Sequence, residues 1–420
     1  MAFRIAEQTG IAVIKVFGVG GGGGNAINSM VRNGLQGVQF ISVNTDLQAL
    51  QESMADVVLQ MGPGITKGLG AGADPETGKL AALESLEDLK AAVEGCDMVF
   101  VAAGLGGGTG TGAAPVIAKI AKEAGALTVA VVTKPFSFEG KVRARHAEQG
   151  WQELRANVDT IITVPNDRLL SLGQKTSKLA DMLLMADTVL LQAVRGISNL
   201  INVPGLINAD FADLRTVMKE VGPAIMGVGS ASGENRAIDA ARIAIDNQLL
   251  EDVGVDGARG VLINVSASSE SLTLEELNEV SLLIQEKVDE DAVIVVGALY
   301  DDELGDEIRV TVVATGVGGV LACKEVVAKP RVLNRAETSG KTPGLNLVPP
   351  GPEAVTHGSP APKNVQHRAT KLPRSSFDSL ENLGISGGSG QAGNASSATS
   401  GTKRDLELLE TPTYLRKNAN

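Results

Sequence analysis

Nine residues from Gly104 to Gly112, GLGGGTGTG, hold six glycines, two threonines and no charged side chain. A second run, GVGGGGGN, covers Gly18 to Asn25. Each follows an apolar stretch and opens a helical pattern. Removing side chains at such a turn lets backbone N–H groups reach phosphate oxygens, and the positive end of a helix dipole favours the anion. Gly18, Gly20 and Gly23 match G-x-G-x-x-G in the strand-turn-helix setting that gives this fingerprint its meaning. Gly21, Gly22 and Gly24 complete the run, and Thr109 and Thr111 add hydroxyl donors to the later loop without bulk. Alone, either run also fits a flexible turn. Together they point to two helix N-termini converging on one polyphosphate.

Two other modes of holding a nucleotide, the Walker loop and the N-K-x-D guanine motif, are excluded. No G-x-x-x-x-G-K-[ST] occurs, since the GKT at 340–342 lacks the earlier glycine, and there is no N-K-x-D. Several polar residues have a plainer alternative on spacing alone. Asn166, between an apolar run and DRLL, fits a helix cap. Glu139 and Arg143 stand four apart, the spacing of a surface ion pair. Asp210 and Asp213 fit caps of the helix ADLRTVMKEVG. His146 is assigned no role. Cys96 and Cys323 have no CxxC spacing and read as small core residues, so no protein metal site is expected.

The elements that must position these residues follow from composition and period. Hydrophobic residues make up 43% of the 420 but aromatics only 3%, so the core rests on Val, Ile, Leu and Ala, the residues of helices layered on a parallel sheet. IAVIKVFGV, VQFISVN, DMVFVAAG, LTVAVVT and TIITVPN are nearly continuous apolar runs and predict strands buried on both faces. Amphipathic stretches such as Asn25 to Leu35 lie between them, giving a doubly wound α/β domain. Leucines and other apolar residues at three- and four-residue spacing predict one long helix over Lys178 to Asn202, stopped by Pro204 and Gly205. A smaller α/β unit follows, with strands PAIMGVGS, GVLINVS, AVIVVGAL and IRVTVVAT. The expected organisation is an extension at 1–10, a nucleotide-binding domain at 11–177, a central helix at 178–205, a second domain at 206–320, a linker at 321–404 and a docking peptide at 405–420.

Charge separates the tail from the rest. Of the formal net charge of −12, residues 330–420 carry +4 and the first 329 carry −16. So acidic a body does not bind nucleic acid generally, because that affinity comes from cations displacing counterions. Eight of the 16 prolines fall between Pro330 and Pro373, before a Gly/Ser-rich stretch, which predicts a flexible, disordered tether. DLELLETPTYLRKN at its end reads as a short amphipathic partner-docking motif. No apolar run reaches about 18 residues and MAFRIAEQTG lacks a signal peptide's layout, so a cytoplasmic protein without membrane insertion is expected.

GGGTGTG at Gly106 to Gly112 resembles the signature of the tubulin superfamily. VIKVFGVGGGGGNAI, VNTD, GITKGLGAGA, VVTKPFSFEG, VPNDRLL, NADFADLRTVM and the terminal TPTYLRK resemble, in order, the FtsZ family of bacterial cell-division GTPases. The resemblance covers about residues 11 to 316 plus that end motif. It implies a tubulin-like fold and a GTP/GDP site. Gly21, Gly22 and Asn25 would contact the nucleotide from the first loop, and Gly107, Gly108, Thr109 and Gly110 would hold phosphates from the second. Glu139 would meet the ribose, Arg143 the terminal phosphate, and Asn166 and Asp187 the guanine. Many relatives carry an aromatic against the base where this chain has Leu183, which leaves open how the base is covered.

The resemblance also implies catalysis in trans. Asp210 and Asp213, with Asn208 in support, would enter the next subunit's site and orient the attacking water, with Mg2+ held mainly by phosphates and water. Head-to-tail contacts of this kind build filaments. It implies, finally, assembly at the division site beneath the membrane, and division and membrane-tethering partners bound through 405–417. Two alternatives stand beside it: a nicotinamide-dependent dehydrogenase using Gly18, Gly20, Gly23 and Asp46, and a nucleotide-binding structural protein without turnover.

Overall fold

The computed structural model describes residues 12–172, 178–203, 205–220, 222–246 and 254–317. The extension at 1–10, the linker from 321 and the docking peptide lie outside the described residues.

The first half alternates strand and helix as its apolar runs predict. In chain order it forms β1 (Ile14–Val19), α1 (Gly20–Arg32), β2 (Gln39–Asn44), α2 (Leu47–Gln51), β3 (Val57–Gln60), α3 (Pro63–Thr66), α4 (Pro75–Glu84) and α5 (Leu86–Val93). There follow β4 (Met98–Gly104), α6 (Thr109–Glu123), β5 (Leu127–Lys134), α7 (Lys141–Asn157), β6 (Thr160–Pro165) and α8 (Asn166–Leu172). The six strands make one parallel sheet in the order β3-β2-β1-β4-β5-β6. β3 is the strand that the apolar pattern does not reveal: four residues, half-exposed, at the sheet edge.

Each central strand serves two layers, because successive side chains point to opposite faces. Ile14 and Val16 of β1 join a core with Ile27 and Met30 of α1, whereas Phe17 and Val19 join another with Leu89, Val93 and Ile117. Burial on both faces is the physical reason these strands read as unbroken apolar runs.

The long helix α9 (Leu179–Asn202) spans 24 residues, about 36 Å at ~1.5 Å per residue. After it come α10 (Phe211–Met218), β7 (Ile225–Ser232), α11 (Arg236–Ile245), β8 (Gly260–Ala267), α12 (Leu274–Gln285), β9 (Val293–Tyr300) and β10 (Glu307–Thr315). The second sheet runs β7-β10-β8-β9, with β10 antiparallel to β7 and β8, and β8 parallel to β9. Leu190, Val194, Ile197 and Leu200 of α9 share one buried cluster with Val129 of the first sheet and Met226, Leu262 and Val313 of the second. The two sheets therefore sit on one continuous core with α9 through its middle.

The first helix begins earlier than the amphipathic stretch from Asn25 predicts. α1 starts at Gly20 and α6 at Thr109, so most of the first glycine run and the end of the second are helical first turns. The glycines allow the helices to lie on the sheet at distances that exclude a side chain. A Cβ on Gly23 would stand 2.4 Å from the Ala102 carbonyl oxygen, and one on Gly112 only 1.9 Å from that of Pro75.

Candidate nucleotide-binding site

The strand order turns back between β1 and β4, and the carboxyl ends of such a pair form a crevice. The helices that leave these ends, α1 and α6, start there side by side. Gly20, at φ +71°, is so close to α6 that its Cβ would lie 2.8 Å from the Gly110 nitrogen. Over them opens a cavity of about 340 Å³. Its wall takes Gly21, Gly22 and Asn25 from α1 and Gly107, Gly108, Thr109 and Gly110 from the β4–α6 turn. Two helix N-termini thus address one space, which suits a polyphosphate.

The glycines divide by task. A methyl group on Gly21 would meet nothing within 4 Å, and this residue opens into the cavity. A Cβ on Gly22 would lie 3.2 Å from the Gly104 backbone, and one on Gly108 would lie 2.8 Å from the Ala71 methyl. Gly23, Gly24 and Thr111 do not line the cavity. Gly23 is buried on β4, Gly24 is partly exposed above Ser42, and Thr111 is buried with its hydroxyl accepting the N–H of Gly106 at 2.8 Å. Thr109 does reach the wall, and its Oγ1 lies 2.6 Å from Oγ1 of Thr45.

On one side stand Glu139 and Arg143. The Arg143 guanidinium donates to one Glu139 oxygen, and the other accepts the Phe136 N–H at 2.9 Å. The ion pair inferred from spacing exists, and it borders the cavity as well. The far side is made by Asn166, Leu183, Ala186, Asp187 and Leu190. Asn166 opens α8 but does not cap it: its side chain is buried and Oδ1 has no hydrogen-bond partner among the described residues. Burial pushes the Asp187 carboxyl up to about 6. An orphaned amide oxygen and a desolvated carboxylate in one wall are acceptors waiting for N–H donors, which the edge of a guanine supplies. Half-exposed Leu183 offers an apolar face one turn before Asp187.

Three further candidates stand elsewhere. Asn208, Asp210 and Asp213 are exposed and absent from the cavity wall. Asn208 accepts the Gly205 N–H at 2.7 Å, and Asp210 caps α10 through the Ala212 N–H at 3.2 Å. The side chain of Asp213, in the first turn of α10, makes no hydrogen bond among the described residues. Asp46, which a dehydrogenase would use on ribose, instead caps α2 through the Gln48 N–H at 2.9 Å. Sequence reasoning missed Thr133, Pro135, Ala186 and Leu190 as wall residues. A polar residue ending an apolar strand marks Thr133, and the spacing from Leu183 marks Ala186 and Leu190; Thr45, in the VNTD motif, stands behind the wall against Thr109.

Comparison with known proteins decides the family. Residues 13–174 match the model of the Tubulin/FtsZ family, GTPase domain, and residues 222–318 that of the FtsZ family, C-terminal domain. Over 408 residues the chain is 46% identical to the cell division protein FtsZ of Pseudomonas putida, covering 97% of both. The chain belongs to the FtsZ family. It is 55% identical over 310 residues to the FtsZ of Pseudomonas aeruginosa, covering 74% of this chain and 78% of that protein. An FtsZ dimer from M. jannaschii superposes with a TM-score of 0.70 at 44% identity, over 74% of this chain and 89% of that one. As an FtsZ, it is a GTP-binding, polymerising cell-division GTPase of tubulin-like fold that associates with itself. Among the described residues no cluster of His, Cys, Asp and Glu could hold a metal ion, and no helix is long and apolar enough to cross a membrane.

Proposed function

We propose that GTP binds at the seam between successive copies and is hydrolysed with carboxylates brought by the neighbour. Guanine lies on Leu183 and donates to Asn166 and Asp187, and the ribose meets Glu139. The phosphates rest on the amides of Gly21, Gly22 and Gly107 to Gly110, with Arg143 near the terminal one. Mg2+ is carried by phosphates and water, as suits an ion that dehydrates reluctantly.

One observation supports hydrolysis in trans: the acidic side chains of the cavity wall are both committed. Glu139 is bound to Arg143 and the Phe136 N–H, and Asp187 sits with Asn166 on the base side. The copy that holds GTP therefore has no carboxylate in its own wall to orient water at the phosphate end, while the Asp213 side chain is exposed and makes no hydrogen bond among the described residues. Asp213 and Asp210 of the next copy orient the water, with Asn208 shaping the turn before them. The water oxygen bonds to the terminal phosphorus, the bridging P–O bond breaks with its electrons leaving on GDP, and the water's proton passes to solvent. This is positioning and charge placement more than covalent chemistry. The segment 405–417 binds division and membrane-tethering proteins, which brings filaments to the division site beneath the membrane.

Sedimentation with GTP against GDP, with phosphate release followed in the same tube across a range of protein concentrations, tests the reading. Release should begin at the concentration where pellets appear, and Asp213→Ala should bind GTP yet lose turnover. Full turnover by unassociated chains removes the proposal.

A further inference from the structure

Each of the two helices that face the phosphates is held at its far end by an arginine from a later element. Asn33, which ends α1, gives its carbonyl to Nη2 of Arg195 on α9 at 2.6 Å. Gly125, two residues past the end of α6, gives its carbonyl to Nη2 of Arg215 on α10 at 2.7 Å. α10 is the helix that begins with Asp210 and carries Asp213 in its first turn.

The geometry of α10 gives the second grip a specific consequence. Leu214, Val217 and Met218 form its buried face. At ~100° per residue, Asp213 and Arg215 fall on opposite flanks of that face. Pulling Arg215 toward α6 therefore sets the roll that turns Asp213 outward. The far end of α10 is fixed separately, since the Met218 carbonyl accepts from Thr160 and the Val217 carbonyl accepts from Thr315 at 2.7 Å. The Arg215 Nε is buried and has no partner among the described residues, so the contact to Gly125 is the hydrogen bond they supply to hold this side chain. A guanidinium at a helix C-terminus also complements that helix's dipole.

We propose that Arg215 is a positioning residue for hydrolysis, fixing the roll of α10 against the end of α6 so that Asp213 and Asp210 reach the neighbouring copy's GTP. This rests on the trans reading above. It assigns Arg215 to the copy that donates the carboxylates, not to the copy that holds the nucleotide.

Mixing full-length variants separates these roles. Gly21→Trp fills the cavity from a position with open space and leaves α10 intact, so that copy binds no GTP but can still serve a neighbour. Arg215→Ala alone should bind GTP within about twofold of the parent and lose turnover at least about tenfold, the scale of a misplaced catalytic group, with KM little changed. Arg215→Lys, which keeps one donor and the charge, should recover part of the rate. Mixed with Gly21→Trp, both Arg215→Ala and Asp213→Ala should regain turnover. If the Asp213→Ala mixture recovers and the Arg215→Ala mixture does not, Arg215 acts on its own cavity through α6 and the assignment is wrong. Failure of both mixtures removes the trans reading and this inference with it. Parental turnover by Arg215→Ala, or loss of GTP binding together with turnover, also overturns it.

Discussion

The Thr111 hydroxyl accepts the buried N–H of Gly106 at 2.8 Å, so the first turn of α6 pins the glycine turn that precedes it. Gly106 sits at φ +100°, where a side chain is strained, and its N–H has to be satisfied without help from regular structure. Thr111→Val keeps the shape and removes the acceptor. A buried N–H left alone costs about 1–3 kcal/mol, so the melting temperature should fall and GTP affinity with it, while Thr111→Ser should retain both. Thermal unfolding and GTP titration check this.

Neighbouring glycines should respond in opposite ways. Gly21→Ala meets no atom within 4 Å and removes a helical glycine, so the melting temperature should hold or rise while GTP binding weakens. Gly23→Ala would press a methyl to 2.4 Å from the Ala102 carbonyl, which a packed interior resists at ~1–3 kcal/mol or more. Its first effect should be a lower melting temperature without nucleotide present.

Asp187 should make guanine binding sensitive to pH. Burial raises its carboxyl from 3.8 to about 6. A raised folded pKa means that its contribution to stability is full below the unfolded value and is lost as pH rises through about 6. On the proposed binding mode guanine is held by the ionised carboxylate as acceptor, so affinity should drop as pH falls through the same region. Asp187→Asn should stabilise the ligand-free chain above that pH and flatten the affinity profile, at the expense of selectivity for guanine over adenine. Unfolding and nucleotide titrations on either side of about pH 6 measure both.

Leu183 is half-exposed in the wall beside Asp187. An aromatic ring stacked on a base contributes ~1–3 kcal/mol by substitution, more than a leucine face supplies. Leu183→Phe should therefore tighten GDP and GTP alike, severalfold, without changing turnover per bound GTP. Equilibrium dialysis of both nucleotides gives the answer.

Local pattern alone determined much of this protein. The apolar runs that became β1, β2, β4, β5 and β6, the spacing that became α9, and the two glycine runs at strand ends are written in contiguous residues, because helix and strand periods are local properties. The strong motifs likewise carried the family. Tertiary structure decided which members of a motif do what. Gly21 opens to the cavity and Gly23 is buried on a strand because of how α1 rolls against β4, and no count along the chain contains that angle. Thr109 reaches the wall and Thr111 does not, although both were legible as donors. Asn166 and Asp187 share one wall only because α9 packs against β5 and α8. Arg215 finds the Gly125 carbonyl from ninety residues away. Such contacts depend on the packing of whole elements, and packing is settled by the shared core rather than by any segment's own preference.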